Sequence, residues 1–480
     1  MSNKYEIVIG LETHVELSTK SKLFCACPTT FGAEPNQNTC PACVGMPGML
    51  PLTNKRAVEL GIIASILTNC CVSPSITFDK KNYFYPDLPT GYQITQLFAP
   101  IGKHGIVEIE AEGIKKSINL KQIHIEQDAG KLIHDARLDA SLVDYNRAGV
   151  PLIEVVTEPD FRSAEEVNAY LNKLQEMFTY AGVSDCKMQE GSMRCDVNIS
   201  VRKKGETKYG VRTEIKNMNS FKAIARAIEY EAERHIEALE TGKEVLRQET
   251  RRWDDNKGMS FAMRSKEEAT DYRYFPDCDI PPINISSEWV EEIKRAIPES
   301  LAAKKDRFVN TYGLSAYDAD VLLNRVNLAN ILDQTVKIIN EPKEIANYLT
   351  VHLAALAKYE SLNLEEVSLC PTQFAKIIEL VKQSKINRET SKTLFFEHVK
   401  HKIDVLKYVE ENDLLIQQDD SAIEEAILQA IAENPKSVEE YKNGNQKVIP
   451  FFIGQVMKRL KIKQDPRAVS EILIKALNKI

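Results

Sequence analysis

Residues 9–17, IGLETHVEL, alternate along the chain: Leu11, Thr13, Val15 and Leu17 fall to one side, and Glu12, His14 and Glu16 to the other. A period of two is the mark of a β-strand with one face turned to the core. Three later runs repeat it. QIHIEQDAG sets His124, Glu126 and Asp128 opposite Ile123 and Ile125. RCDVNISV sets Arg194, Asp196, Asn198 and Ser200 opposite Cys195, Val197, Ile199 and Val201. VRTEIKNM sets Arg212, Glu214 and Lys216 opposite Val211, Thr213 and Ile215. Two long amphipathic runs predict helices. SAEEVNAYLNKLQEMFTYAG opens with Ser163 and Glu166 at capping-box spacing and stops at Gly182; FKAIARAIEYEAERHIEALETG ends near Gly242. After the Pro281–Pro282 pair the pattern changes, and from Glu291 onward it is almost wholly helical in period. ENDLLIQQDDS suggests a further boundary, with a small helical unit behind it. The fold class is therefore α+β: a mixed α/β part to about residue 290, then helices. A short echo links YFYPDLP at 83–89 with YRYFPDCDIP at 272–281.

Composition changes this picture little. The 480 residues are 43% hydrophobic and 27% charged, which is globular, and the net charge of −7 selects no partner. The opening MSNKYEIVIG has too short an apolar run for a signal peptide, and no stretch reaches the length of a membrane span. Ten cysteines then read as thiols or metal ligands in a reducing cytoplasm. Charge is uneven at the far end. Residues 401–440 carry three Lys/Arg against eleven Asp/Glu, and residues 441–480 carry nine against two. Lys458, Arg459, Lys461, Lys463 and Arg467 cluster there, either as a solvated helix face or as a contact to a phosphate backbone.

The polar faces carry the candidate chemistry. They are biased toward Glu, Asp, His and Arg, where a solvated face usually mixes in Lys, Thr and Ser. If the four strands share a sheet, those faces converge into one floor; otherwise they are four separate wet faces. Such a floor could hold a hard cation through Glu12, His14 and Glu126, since oxygen ligands suit Mg²⁺. Arg194, Arg212 and Lys216 could then hold phosphate or carboxylate groups. A metal with phosphate-binding cations is the equipment of phosphoryl transfer. The chain has no G-x-x-x-x-G-K-[ST] and no G-x-G-x-x-G opening a helix, so a nucleotide would not sit in a P-loop or Rossmann turn. Cys25, Cys27, Cys40 and Cys43 form a C-x-C and a C-x-x-C among glycines and prolines. Four thiolates on two tight turns suit structural Zn²⁺; a redox pair at Cys40 and Cys43, or buried thiols, are the alternatives.

SLVDYNRAGVPLIEVVTEPD at 141–160, with FGAEPNQNTCPACVGMPGMLP, FDKKNYFYPDLPTGYQITQ, EGSMRCDVNIS and DYRYFPDCDIPP, closely resembles the B subunit of the glutamyl-tRNA(Gln)/aspartyl-tRNA(Asn) amidotransferases, over essentially the whole chain. The resemblance implies a cradle domain at 1–292, a helical domain at 293–405 and a small helical tail at 406–480. It implies a cytoplasmic enzyme that uses ATP and Mg²⁺ to phosphorylate the side-chain carboxylate of tRNA-bound Glu or Asp. Ammonia then displaces phosphate to give Gln-tRNA(Gln) or Asn-tRNA(Asn). It carries over Glu12, His14 and Glu126 as Mg²⁺ ligands, with Asp196 and Glu214 lining the same site. Many members read Glu-Glu where this chain has Glu126 and Gln127; an amide ligates through oxygen without charge, so which of the two touches metal stays open. The four cysteines match the members that hold zinc, and the basic residues at 458–467 match a tail that grips the outer corner of tRNA. The implied partners are an amidase subunit, a small linker subunit completing a heterotrimer, and tRNA(Gln) or tRNA(Asn), alone or with the synthetases that charge them.

The chain itself has no visible means of releasing ammonia from glutamine: no Gly-Ser-Ser amidase signature, no Gly-x-Cys-x-Gly elbow and no Cys at position 2. Two other classes fit the residues alone. A metal-dependent nuclease would cleave RNA without ATP. An RNA-binding scaffold would not depend on Glu12 or His14 for turnover.

Overall fold

A computed structural model describes the chain except residues 1–3, 136–139, 266–271, 361, 365–366, 417–419, 443–444, 446–447, 461–465 and 479–480. Two compact units divide it, Met1–Ser300 and Leu301–Ile480.

The first unit is built on a nine-stranded sheet. Its strands are β1 (Tyr5–Glu16), β2 (Cys71–Val72), β3 (Gly102–Ala111), β4 (Ile114–Gln127), β5 (Pro151–Thr157), β6 (Met193–Lys203), β7 (Thr213–Lys216), β8 (Glu249–Asp254) and β9 (Met259–Ser265). Their order across the sheet is β9-β8-β7-β6-β1-β5-β4-β3-β2. Neighbours run antiparallel except β7 and β8, which are parallel. The four strands with charged faces, β1, β4, β6 and β7, thus do share one sheet. β5, between β1 and β4, joins them.

One face of the sheet is dry. Leu11, Val15, Ile123, Ile125, Ile153, Val155, Val197, Ile199 and Ile215 are buried there, in one core with helices α1 (Lys55–Leu67), α2 (Ala164–Tyr180) and α3 (Phe221–Thr241). Contact is close: a Cβ on Gly61 of α1 would lie 2.9 Å from Cδ1 of Ile125. A one-residue slip of β1 would expose Leu11 and Val15 and bury Glu12 and His14. Each fully buried aliphatic side chain is worth about 1.5–3 kcal/mol, so the core fixes the register and with it the opposite, charged face. The helices begin and end where their caps predict. Ser163 Oγ accepts from the Glu166 amide at 3.2 Å, and Gly182 takes a left-handed φ of 68° just beyond α2. Ser220 caps α3 in the same way, and Gly242 ends it at φ 65°. The two echoing segments are neighbours: Phe275 pairs with Lys80, and the Tyr83 and Tyr272 rings meet edge-on at 5.9 Å.

In the second unit every described element is helical. Its apolar residues form two cores, one from Phe308 to Val409 and one from Ile423 to Leu477. No described helix is long and apolar enough to cross a membrane.

Candidate functional site

Strand register assembles the charged face. On β1, Glu12 stands opposite Asp196 of β6, and His14 stands between Arg194 of β6 and Glu154 of β5. Glu154 faces His124 of β4 on its other side, and Asn198 of β6 faces Glu214 of β7. Two clusters result. In each, one ligating atom from every member lies within 4.8 Å of the others: His14, Glu126 and Glu154 in one, Glu12, Asp196 and Glu214 in the other. The ligand set read from sequence is therefore divided, with His14 and Glu126 in the first cluster and Glu12 in the second.

In the first cluster, His14 Nε2 lies 3.7 Å from Glu126 and 3.6 Å from Glu154. His124 Nε2 lies 3.2 Å from Glu154. Thr95 Oγ1 donates to Glu126 at 3.0 Å and sits 3.0 Å from His124 Nδ1, a contact in which the ring nitrogen then donates. Burial opposes charging His14, but Glu154 first, then Glu126 and Asp196, outweigh it and raise its pKa to about 9. His124 is raised by the same balance. Glu154 is driven well below the carboxylate range, as His124 and His14 overcome its burial. An ion binding through His14 must displace the proton that the surrounding carboxylates favour.

The second cluster sets three carboxyl groups against one ammonium. Lys216 Nζ lies 2.5 Å from Asp196 and 3.2 Å from Glu214, and these acids raise its pKa despite burial. Asn198 Nδ2 donates to Glu12 at 3.0 Å, and Thr250 Oγ1 donates to Glu214 at 2.9 Å. Asn198 Oδ1 is buried with no hydrogen-bond partner among the described residues. An all-oxygen set with an excess of acids and an orphaned carbonyl oxygen fits a hard divalent cation.

Beside these clusters, Arg194 donates to Asp128 at 2.7 Å, with Arg147 3.5 Å from the same oxygen. The two guanidiniums hold Asp128 low against burial. Burial and Asp128 together push Glu16 up to about 8, Arg194 offsetting part of the rise. Arg212 lies just ahead of β7 and is exposed. Gln127 follows Glu126 by one residue, so strand alternation turns it to the other side, where Nε2 approaches the Tyr92 carbonyl at 3.5 Å. It lines a cavity of about 290 Å³ with Cys25, Cys43 and Tyr92, and is not brought to the His14 cluster.

The four cysteine sulfurs also lie within 4.8 Å of one another. The Cys40 amide donates to Cys43 Sγ at 3.2 Å, and the buried Lys22 ammonium donates to it at 3.5 Å. The Cys25 thiol, the Cys40 amide and Lys22 hold the Cys43 thiol down to about 4 against burial. Convergent sulfurs with donors aimed at one of them fit a tetrahedral thiolate centre.

In the tail, Lys458 and Arg459 end the helix Ile449–Arg459, and Arg459 pairs with Glu433. Lys461 and Lys463 lie outside the described residues, as does the side chain of Arg467. Sequence reasoning missed Glu154. Its signal was a single acid inside the apolar run PLIEVVT. His124 was placed on the right face but given no role.

A mixed sheet with two acid clusters on its charged face, followed by a helical region, defines an α+β protein. Residues 7–291 match the family described as GatB/GatE catalytic domain, and residues 330–477 the one described as GatB domain. The chain is 54% identical over 475 residues to the B subunit of the aspartyl/glutamyl-tRNA(Asn/Gln) amidotransferase of Lachnoclostridium phytofermentans, covering 99% of each chain. It is 51% identical over 480 residues to the protein of that name in Caldicellulosiruptor bescii, covering 99% of this chain and all of the other. With that of Thermodesulfovibrio yellowstonii identity is 47% over 474 residues and 99% of both. The chain belongs to the family of B subunits of these tRNA-dependent amidotransferases.

Proposed function

We propose that this chain is the subunit that amidates mischarged tRNA, acting on Glu-tRNA(Gln), Asp-tRNA(Asn) or both at the charged face of the sheet. The side-chain carboxylate of the aminoacyl group attacks the γ-phosphorus of ATP, and ADP leaves. Ammonia then attacks the acyl carbon of the resulting acyl phosphate, phosphate departs, and the nitrogen loses a proton. A carboxylate is a poor acyl donor and an acyl phosphate a good one, which is why ATP is consumed. The observation that carries this reading is the pair of acid clusters one strand-step apart on β1, beside Lys216 and Arg194.

Glu12, Asp196 and Glu214, with the Asn198 carbonyl oxygen, would hold one Mg²⁺; His14, Glu126 and Glu154 would hold another. Bound Mg²⁺ would neutralise charge on the transferred phosphate. Lys216 and Arg194, each anchored by an acid, present fixed cations to phosphate or carboxylate groups, and Arg212 adds an exposed one. Cys25, Cys27, Cys40 and Cys43 would hold Zn²⁺ with all four positions filled, a structural role. Ammonia comes from a partner amidase subunit, with a small third subunit completing a cytoplasmic heterotrimer. Lys458, Arg459, Lys461, Lys463 and Arg467 supply the contact to the outer corner of tRNA.

The test bypasses glutamine. The purified complex is mixed with Glu-tRNA(Gln), ATP, Mg²⁺ and ammonium chloride, and ADP and Gln-tRNA are followed together. Both products should form, and both should be lost in Glu12→Ala with tRNA affinity kept within a few-fold. Intact tRNA with neither product would leave only a binding role, and cleaved RNA without ADP would point to a nuclease.

A further inference from the structure

Behind the Glu12, Asp196 and Glu214 cluster, on the dry side of the sheet, lies a second set of charges. Glu231 of α3 is fully buried. One of its oxygens accepts from Ser260 and lies 3.2 Å from Arg251 Nε; the other accepts from Arg234 at 2.8 Å. Arg251 continues to Glu249 at 2.7 Å. Arg234 reaches Thr213 at 3.4 Å, and His235 Nε2 meets the same hydroxyl at 2.9 Å. Every sheet residue in this network except Ser260 belongs to β7 or β8: Thr213, Glu249 and Arg251.

Those two strands are in parallel register, Thr213 beside Glu249, Glu214 beside Thr250, and Ile215 beside Arg251. Alternation then divides them cleanly. Thr213, Glu249 and Arg251 point back to Glu231, while Glu214 and the Thr250 that bonds it point to the metal cluster. β7 has only four residues, paired to β6 through three and to β8 through four, so the hold of β6 on the β7–β8 pair is short. The buried network grips both strands at the positions flanking Glu214 and Thr250.

We propose that Glu231 is a positioning residue, which through Arg234 and Arg251 sets Glu214 for metal binding. The inference rests on the reading of Glu12, Asp196 and Glu214 as a metal site. Glu231→Gln keeps the shape of the side chain but removes the charge that holds two guanidiniums together. β7 and β8 then lose their common anchor, and Glu214 leaves the position that closes the site.

Mn²⁺ titration of the full-length chain, followed by the EPR signal of the free ion, tests this without reference to turnover. The unmodified protein should show two classes of site, one lost in Glu12→Gln and the other in Glu154→Gln. Glu231→Gln should weaken only the class that depends on Glu12, by about 10–100-fold, as expected when an outer support of a metal ligand is removed. Equal weakening of both classes would mean general loosening, and no weakening would mean that Glu231 holds nothing the metal needs; either overturns the proposal. Should Glu231→Gln fail to fold, Arg251→Met removes the link from Glu231 to β8 and leaves Glu231 its bonds to Arg234 and Ser260. It should weaken the same class, and unchanged affinity would overturn the proposal. Absence of any Mn²⁺ binding by the unmodified protein would refute the metal reading itself, and this inference with it.

Discussion

Acid should loosen the first unit through His235. Its ring is fully buried beneath β7, with Nε2 on Thr213 and Nδ1 unpartnered among the described residues. Burial, reinforced by Arg234 and Arg251 and only partly offset by Glu231, lowers its pKa from 6.5 to about 4. A histidine held neutral in the folded state contributes stability that is complete above the unfolded pKa and is lost as pH falls toward the folded one. The window is therefore pH 6.5 to 4, and the full difference is worth about 3 kcal/mol. About 2 kcal/mol of this falls between pH 7 and pH 5 by the same linkage. Both tryptophans, Trp253 and Trp289, lie in Met1–Ser300, so their fluorescence reports on this unit alone. Urea unfolding followed by tryptophan emission at the two pH values gives the total loss, to which other groups contribute. His235→Gln isolates the histidine, since the glutamine amide can still donate to Thr213 and does not titrate. The variant should lose about 2 kcal/mol less than the unmodified protein on going from pH 7 to pH 5. Equal losses in the two proteins would mean that His235 does not set this dependence on pH.

Three further outcomes are expected. Lys22→Met should leave one zinc per chain but weaken its retention against a chelator by about 10–100-fold, because a donor to a ligand sulfur is gone; unchanged retention would remove Lys22 from the centre. Gln127→Glu should leave Mn²⁺ affinity at the His14, Glu126 and Glu154 cluster unaltered, since the side chain faces away from it, and tighter binding would show that the strand can turn it inward. Truncation before Lys447 should weaken tRNA binding in filter assays and flatten its dependence on salt, as phosphate contacts are lost. Equal affinity in the truncated chain would take the tail out of tRNA recognition.

The fold was legible wherever period and core agreed. The site-bearing stretches of β1, β4 and β6 alternate, and a strand with one buried face must write that face into its sequence. The helices α2 and α3 carry both their apolar stripe and their caps. β5 was not legible as part of the site, because PLIEVVT is apolar almost throughout and its one acid reads as an exception rather than a pattern. The division of the acids into two clusters was hidden for a different reason. Alternation tells which side a residue faces, but only register tells which residue of the next strand it meets. Glu12 and His14 are two positions apart on one strand, yet their neighbours across the sheet differ completely. The Glu231 network was hidden for the same reason: one of five glutamates in an amphipathic helix looks like surface until β7 and β8 cover it.

Of the strands in the nine-stranded sheet, β1 is made first and waits long for its partners. It lies between β5 and β6, whose partner residues run from 152 to 156 and from 193 to 203. At about 5–20 residues per second, some 10–40 s of synthesis separate β1 from its far neighbour. The β3–β4 hairpin, with strands only two residues apart, can form early and wait. Until β6 has left the ribosome, the strand YEIVIGLETHVE has an open edge, a template that invites chaperones or aggregation. The His14, Glu126 and Glu154 cluster draws only on β1, β4 and β5, all made by residue 157, whereas the Glu12, Asp196 and Glu214 cluster must wait for β6 and β7: the two halves of the site are completed at different times in synthesis.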